Sequence, residues 1–303
     1  MISRRRFLTW LAALGVAGIA TASYAFAIEP LLRLRVTRYQ VTPPRWPRGF
    51  RLTIAAIADV HACRPWMSPE RIRGIVEQTN RLNADVIVLL GDYVGAQSKW
   101  ISDEVPAAEW AKELAGLKAP LGVHAILGNH EFWNDPAMQS TGTGVPVGRR
   151  ALEDVQIPVY ENDVIRLTKD GTPFWLAGLG DQLAFLPRLR RARRRDVRMG
   201  VDDLDGTLAK ITDDAPVILL AHEPDIIVRV PERVSLVLSG HTHGGQVRLF
   251  GWSPVVPSDY GNKYAYGHVS EACDLIVSGG LGCSIAPLRF GVPPEIVFVT
   301  IGS

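Results

Sequence analysis

The sequence predicts an α/β domain built around a largely parallel sheet, and three observations point to it. Short apolar runs at 52–58, 86–90, 123–127, 217–220 and 234–238 read as buried strands. Amphipathic helical segments lie between the early runs, the strand–helix–strand alternation of a parallel sheet. Each run also stops beside an Asp, His or Asn, and in open α/β sheets functional groups collect outside the carboxyl ends of the strands.

Taken in order, the chain begins MISRRRFLTW. Ser3-Arg4-Arg5-Arg6-Phe7-Leu8 has the form of a twin-arginine export signal, followed by an uncharged run to Ala27 that ends in Ala25-Phe26-Ala27, a cleavage-site pattern. Twenty-one uncharged residues could also span a bilayer as an anchor. Residues 1–27 are therefore set apart as signal peptide or anchor, and the rest is expected in the periplasm or otherwise outside the cytoplasm. Residues 33–42 alternate as an amphipathic strand, and Pro43, Pro44 and Pro47 break the chain after it. This makes 28–48 a lead-in strand with a proline-rich linker and 49–303 the main domain.

Ser68-Pro69-Glu70 opens a helix to about Leu82, with Ser68 as N-cap and Pro69 at the first helical position. A second helix covers 106–117, and Gly122 turns into the next strand. Residues 134–148, rich in Gly, Pro and Thr, read as a loop over the site. The runs 164–167 and 174–179 form a hairpin turning at Asp170-Gly171, so part of the sheet structure is antiparallel. Residues 188–198 hold seven arginines, either a solvated face or a patch for anionic lipid or substrate phosphate.

Composition narrows the function classes. The formal charge is +2 over 303 residues, and without the first 27 the balance is 30 basic against 31 acidic residues. Bulk charge thus gives no reason to expect a nucleic-acid partner. Three cysteines, Cys63, Cys273 and Cys283, are too few for a disulfide framework. Cys63 follows His61 by two residues, as a soft extra ligand or an ordinary loop residue. There is no G-x-S-x-G elbow and no Walker-type loop.

The strand ends carry the chemistry. They read Asp59-x-His61, Gly91-Asp92, Gly128-Asn129-His130-Glu131, His222, and Gly240-His241-x-His243. Neutral imidazole and carboxylate together suit Mn, Fe or Zn. In this order the motifs resemble those of the calcineurin-like metallophosphoesterases, over roughly residues 50–301. Downstream, SGHTHGGQVRL, YGNKYAYG and LRFGVPPEI resemble the exported or membrane-attached bacterial branch that includes UDP-2,3-diacylglucosamine hydrolase-like members.

The resemblance implies a four-layer α/β/β/α sandwich of two mixed sheets and two divalent metal ions. One ion would take Asp59, His61, Asp92 and His243. The other would take Asp92, Asn129, His222 and His241, with a hydroxide between the two ions as nucleophile. His130 would serve the leaving oxygen. Glu131 and Asp225 are expected to orient imidazoles. Asn129, Lys263, Tyr264 and Arg289 are candidate substrate contacts. The implied reaction is hydrolysis of a phosphodiester, with phosphomonoester or pyrophosphate as further possibilities. The substrate would be linked to lipid or cell envelope, and the twin-arginine translocase would be a partner in export. The alternatives are a UDP-2,3-diacylglucosamine-type pyrophosphate hydrolase and a non-catalytic metal-binding module.

Overall fold

Burial on both faces explains why the strand runs are so continuously apolar. In Leu52–Ile57, Ile54 and Ala56 point to one side and Ala55 and Ile57 to the other, all of them buried. The fold is that of a computed structural model, which describes residues 3–95, 101–186 and 200–302. The arginine-rich stretch 188–198 lies outside the described residues.

Two sheets pack face to face. The first has five strands in the order Arg35–Val41, Glu295–Ile301, Leu52–Ile57, Val86–Leu90 and Val123–Ile126. The last three run parallel, so their carboxyl ends share one edge. The second sheet has six strands: Gly267–Ser270, Asp274–Val277, Val234–Ser239, Val217–Leu220, Thr172–Gly178 and Asp163–Lys169. Its four inner strands are parallel. The hairpin expected at Asp170-Gly171 is present, with both residues at positive φ. Arg35–Val41 forms an edge of the first sheet, so sheet structure begins ahead of residue 49.

Leu52, Ile54, Val88 and Val299 meet Phe174, Leu176, Ile218 and Leu236 in the layer between the sheets. The outer face of the first sheet is covered by Pro69–Asn80, through Ile72, Ile75 and Val76, and by Ala107–Leu114, through Trp110 and Leu114. Ser68 caps the first of these helices, its hydroxyl accepting from the Arg71 amide. Leu204–Ala209 and the short turn Pro224–Arg229 cover the second sheet. The chain is thus the four-layer α/β/β/α sandwich that the sequence led us to expect.

Residues 134–148 depart from the expected loop. Pro136–Thr141 is helical, and a second helix spans Val147–Asp154. Asp135 caps the first helix by accepting from the amides of Ala137 and Met138, and Gly142 ends it in the left-handed region at φ +69°. The helix ends take up part of the Gly and Pro that made the segment read as irregular, Pro136 and Pro146 at the starts and Gly142 at a stop. None of residues 134–148 lines the site cavity described below.

At the N-terminus, Arg4–Ser23 is a helix with no buried residue. It continues through the turn Tyr24–Ile28 into Glu29–Leu32, where Ala25, Glu29 and Pro30 are buried. The stretch Arg4–Leu32 is long and apolar enough to cross a membrane.

Candidate metal centre

The parallel strands of both sheets point their carboxyl ends at one place. There Asp59, His61, Asp92, His241 and His243 all adopt positive φ, between 45° and 66°. This left-handed backbone is uncommon for residues other than glycine, and it swings side chains from the strand ends into a common space. Two glycines make the close approach possible. A Cβ on Gly128 would collide with Asp92 Oδ1, and one on Gly240 would lie 2.6 Å from Asp59 Oδ2.

Two groups of donors result, Asp59 with His61 and His243, and Asp92 with His222 and His241. Asp92 lies between them. Its Oδ2 is 3.5 Å from His61 Nε2 and 3.2 Å from His222 Nε2, while its Oδ1 accepts from the His130 amide at 2.9 Å. Asn129 joins through Oδ1, 2.9 Å from His241 Nδ1. All seven sequence-predicted ligands are therefore brought together, and all are buried.

The rings are held from behind. His61 Nδ1 lies 3.0 Å from the Val94 carbonyl and His222 Nδ1 lies 2.6 Å from that of Leu90, so each turns Nε2 inward. Arg289 lies 3.2 Å from His243 Nδ1 and donates to it. His243 Nε2 thereby faces His61 Nε2 at 3.0 Å and Asp59 Oδ1 at 3.5 Å. Burial pushes the His61 pKa down to about 3 and lowers those of His241 and His243, keeping these rings in the neutral, ligating form.

The residues fit a pair of cations. Asp59 Oδ2, Asn129 Nδ2 and His241 Nε2 are buried polar atoms without a hydrogen-bond partner, a costly arrangement for protein alone. Burial, with Asp92 nearby, pushes the Asp59 pKa up to about 7 against the pull of His222. His222 is held well above its usual range: burial opposes this, but the charge of Asp92 outweighs it. The centre thus calls for positive charge, which divalent ions would supply in place of the His222 proton.

Glu131 does different work from the expected orienting of imidazoles. Its Oε1 accepts from the amides of Tyr93 and Val94 at 2.8 and 3.2 Å, and its Oε2 from those of Asp92 and Gly128 at 2.9 and 2.8 Å. Four donors leave no place for a carboxyl proton, so the group is ionised although burial, with Asp92 beside it, pushes its pKa up to about 7. It clamps two ligand-bearing loops together. Glu131→Gln is expected to cost ~3 kcal/mol, because an amide NH2 must face two N–H donors in a dry site. The check is the urea midpoint, and an unmoved midpoint would remove the clamp from the account. Asp225 accepts from the Ser258 hydroxyl and the Asp259 amide, bracing a wall of the site.

Three expected substrate contacts are placed elsewhere. Arg289 is fully buried, spending its donors on the carbonyls of Gly279, Gly282 and Val292 and on His243. Lys263 pairs with Glu271 at 2.8 Å, and the buried Tyr264 gives its hydroxyl to the same carboxylate. Position in glycine-rich loops suggested all three, but loop position does not tell which way a side chain turns.

Asp181, in GLGDQ at 178–182, a motif too short to carry meaning alone, and Glu223 were not candidates from the sequence. With His222 they form a third group of donors, and Asp181 Oδ2 and Glu223 Oε1 lack partners. A signal existed: Gly180-Asp181 follows an apolar run just as Gly91-Asp92 does. Cys63 is a buried residue paired with the Asp103–Glu104 strand and belongs to no ligand group among the described residues.

His130, Asn129 and His241 open onto a cavity of about 780 Å3. Its lining is mostly apolar, including Trp133, Val247, Val255, Val256, Ile285 and Leu288, with Asp225, Ser258 and Asp259 along one wall, and no Lys or Arg lines it among the described residues.

Comparison with known proteins agrees with this geometry. The family model for calcineurin-like phosphoesterases matches residues 52–245. An uncharacterised metallophosphoesterase of Bacillus subtilis, YkuE, is 29% identical over all of this chain and 98% of its own length. One from Aquifex aeolicus is 30% identical over 88% of this chain and 92% of its own. A Danio rerio transmembrane protein with a metallophosphoesterase domain is 28% identical over 85% of this chain and 54% of its own.

Proposed function

The chain belongs to the calcineurin-like phosphoesterase family, and from that premise we propose that it is a two-metal phosphodiesterase acting outside the cytoplasm. The observation that carries this reading is Asp92 Oδ2 set between His61 and His222, one carboxylate serving two groups of donors. Asp59, His61, Asp92 and His243 would hold one ion, and Asp92, Asn129, His222 and His241 the other. Bound there, divalent ions supply charge neutralisation for the phosphoryl group and lower the pKa of water.

The chain's own residues do the rest. Arg289 and the carbonyls of Val94 and Leu90 orient His243, His61 and His222. His130 reaches the cavity, with Nδ1 3.3 Å from Asn134 Oδ1, so its Nε2 is placed to serve a leaving oxygen.

A diester is favoured over a monoester by the cavity. A monoester brings a dianion to a wall without cationic side chains among the described residues, whereas a diester brings one negative charge and needs room for a second ester group. The test is metal analysis of the purified full chain with a panel of bis(p-nitrophenyl) phosphate, p-nitrophenyl phosphate and UDP-2,3-diacylglucosamine. We expect two ions per chain and a kcat/KM at least tenfold higher for the diester. Preference for the monoester would make this a phosphatase, and preference for the sugar nucleotide would make it the pyrophosphate hydrolase.

Location rests on the N-terminus. Arg4 and Arg5 ahead of the apolar helix favour the twin-arginine route, which carries folded protein and lets the metal centre fill before export. Replacing both with Lys is expected to leave the protein inside the cell, out of reach of protease added to spheroplasts. Undiminished export of that variant would point to the general secretory route.

A further inference from the structure

From the apolar rim of the cavity and its junction with the N-terminal helix, we infer that the mouth of the site docks into the bilayer and admits an acyl-chain-bearing phosphodiester from it. This rests on the phosphodiesterase reading for the reaction, though not for the docking.

The rim is built from two segments that pair with each other. The Arg248 amide donates to the Phe290 carbonyl and the Phe290 amide to that of Gln246, both at 2.8 Å. From this pairing a tight turn projects, Leu249-Phe250-Gly251-Trp252, closed by reciprocal backbone bonds of 2.8 and 2.9 Å between Leu249 and Trp252. Phe250 and Gly251 sit at φ +51° and +83°. Turns of this kind take Asn or Asp followed by Gly, and a bulky aromatic there is strained. Phe250 is nevertheless fully exposed, as are, in part, its neighbours Leu249 and Trp252, and Val255 and Ile285 at the cavity mouth are exposed too. Neither packing within the chain nor turn chemistry asks for an aromatic at this tip, so the side chain suits something outside the chain.

What lies outside is set by the same segment. The Phe290 ring packs edge-on against Tyr24 with centroids 5.8 Å apart, and the Arg289 amide donates to the Ala25 carbonyl at 3.0 Å. Tyr24 and Ala25 end the helix Arg4–Ser23, which is apolar enough to cross a membrane and has no buried residue. The turn and the apolar helix therefore leave the domain from one attachment point. A bilayer holding the helix holds Phe250 and Trp252 at its surface, where aromatic side chains are favoured.

The cavity continues this apolar surface inward. Val255 and Ile285 are both rim and wall, and Val247, Val256 and Leu288 carry the lining toward His130 and His241. An acyl chain entering from the bilayer stays in apolar surroundings while its phosphodiester reaches the donors. Water is the co-reactant: its oxygen forms one P–O bond, another P–O bond breaks, and the leaving oxygen takes a proton. An alcohol and a phosphomonoester result.

The experiment uses the full chain, reconstituted into phosphatidylglycerol–phosphatidylcholine vesicles whose acyl chains carry bromine, a quencher of tryptophan emission. A Trp10→Phe background is needed because Trp10 lies in the apolar helix itself. Quenching is expected, and Trp252→Phe should abolish most of it. No quenching, or quenching unchanged by Trp252→Phe, overturns the docking whatever the enzyme hydrolyses. The second arm compares wild type with Phe250→Ser/Trp252→Ser, two exposed positions outside the cavity wall. Hydrolysis of vesicle phosphatidylglycerol is expected to fall at least tenfold, with bis(p-nitrophenyl) phosphate turnover unchanged. Turnover of the soluble diester with none of the lipid overturns the lipid substrate and leaves the phosphodiesterase reading standing. Turnover of neither removes both.

Discussion

Asp92→Asn is expected to lower hydrolysis by about 10³-fold or more and to reduce bound metal in the same preparation. The reason is position rather than burial alone. Asp92 Oδ2 is the oxygen within 3.5 Å of both His61 Nε2 and His222 Nε2, so it is the anion two ions would share. Two like charges held close repel strongly in a buried site, and a neutral amide cannot offset that repulsion. A two-ion centre contributes several kcal/mol to the transition state, and each 1.36 kcal/mol is about tenfold in rate. The substitution is nearly isosteric and keeps an acceptor for the His130 amide, so circular dichroism should be unchanged. Elemental analysis beside the rate is the check. A fully active Asp92→Asn enzyme with two ions per chain would show that the carboxylate is not the bridge.

His130→Ala should give the opposite pairing, with rate lost and metal kept. His130 belongs to neither group of donors, and its ring packs edge-on against His61 with centroids 5.0 Å apart. General acid catalysis contributes roughly 10²–10⁴-fold. The deficit should depend on the leaving group. An alkyl alcohol leaves only with a proton, so the full loss is expected with alkyl esters. p-Nitrophenolate leaves without one, so the loss should shrink toward unity there. A structural role would slow both substrates alike. Metal-free His130→Ala protein, or an equal deficit on both esters, would sink the assignment.

The two variants differ because the G-D and G-N-H-E motifs place one side chain between the two groups of donors and one beside them. That much could be read in the sequence. A strand buried on both faces is largely apolar, so the Asp, His or Asn that follows such a run marks its carboxyl end; His124, inside Val123–Ile126, is the exception, its ring held by Tyr160 and the Leu121 carbonyl. Asp59, Asp92, Asn129, His222, His241 and His243 announce themselves in this way, and the order of the motifs pointed to the family. The Ser68 cap and the Asp170-Gly171 hairpin were legible for a related reason, since both depend on residues that are neighbours in the chain.

What the tertiary structure decided depends on partners far apart in sequence. Glu131 became a clamp because folding delivers the amides of 92–94 to it, 37 to 39 residues away. Arg289 turned from a substrate contact into the support of His243, 46 residues distant, because its loop folds inward. Asp181 joined the site although its motif was too short to stand out. The segment that carries the apolar turn at Phe250 met the end of the N-terminal helix through Phe290 on Tyr24 and Arg289 on Ala25, near opposite ends of the chain. Local pattern determines which residues end each strand, because burial and turn geometry act over a few residues. Which side chains then face one another is set by how the two sheets pack, a long-range consequence of the whole buried core.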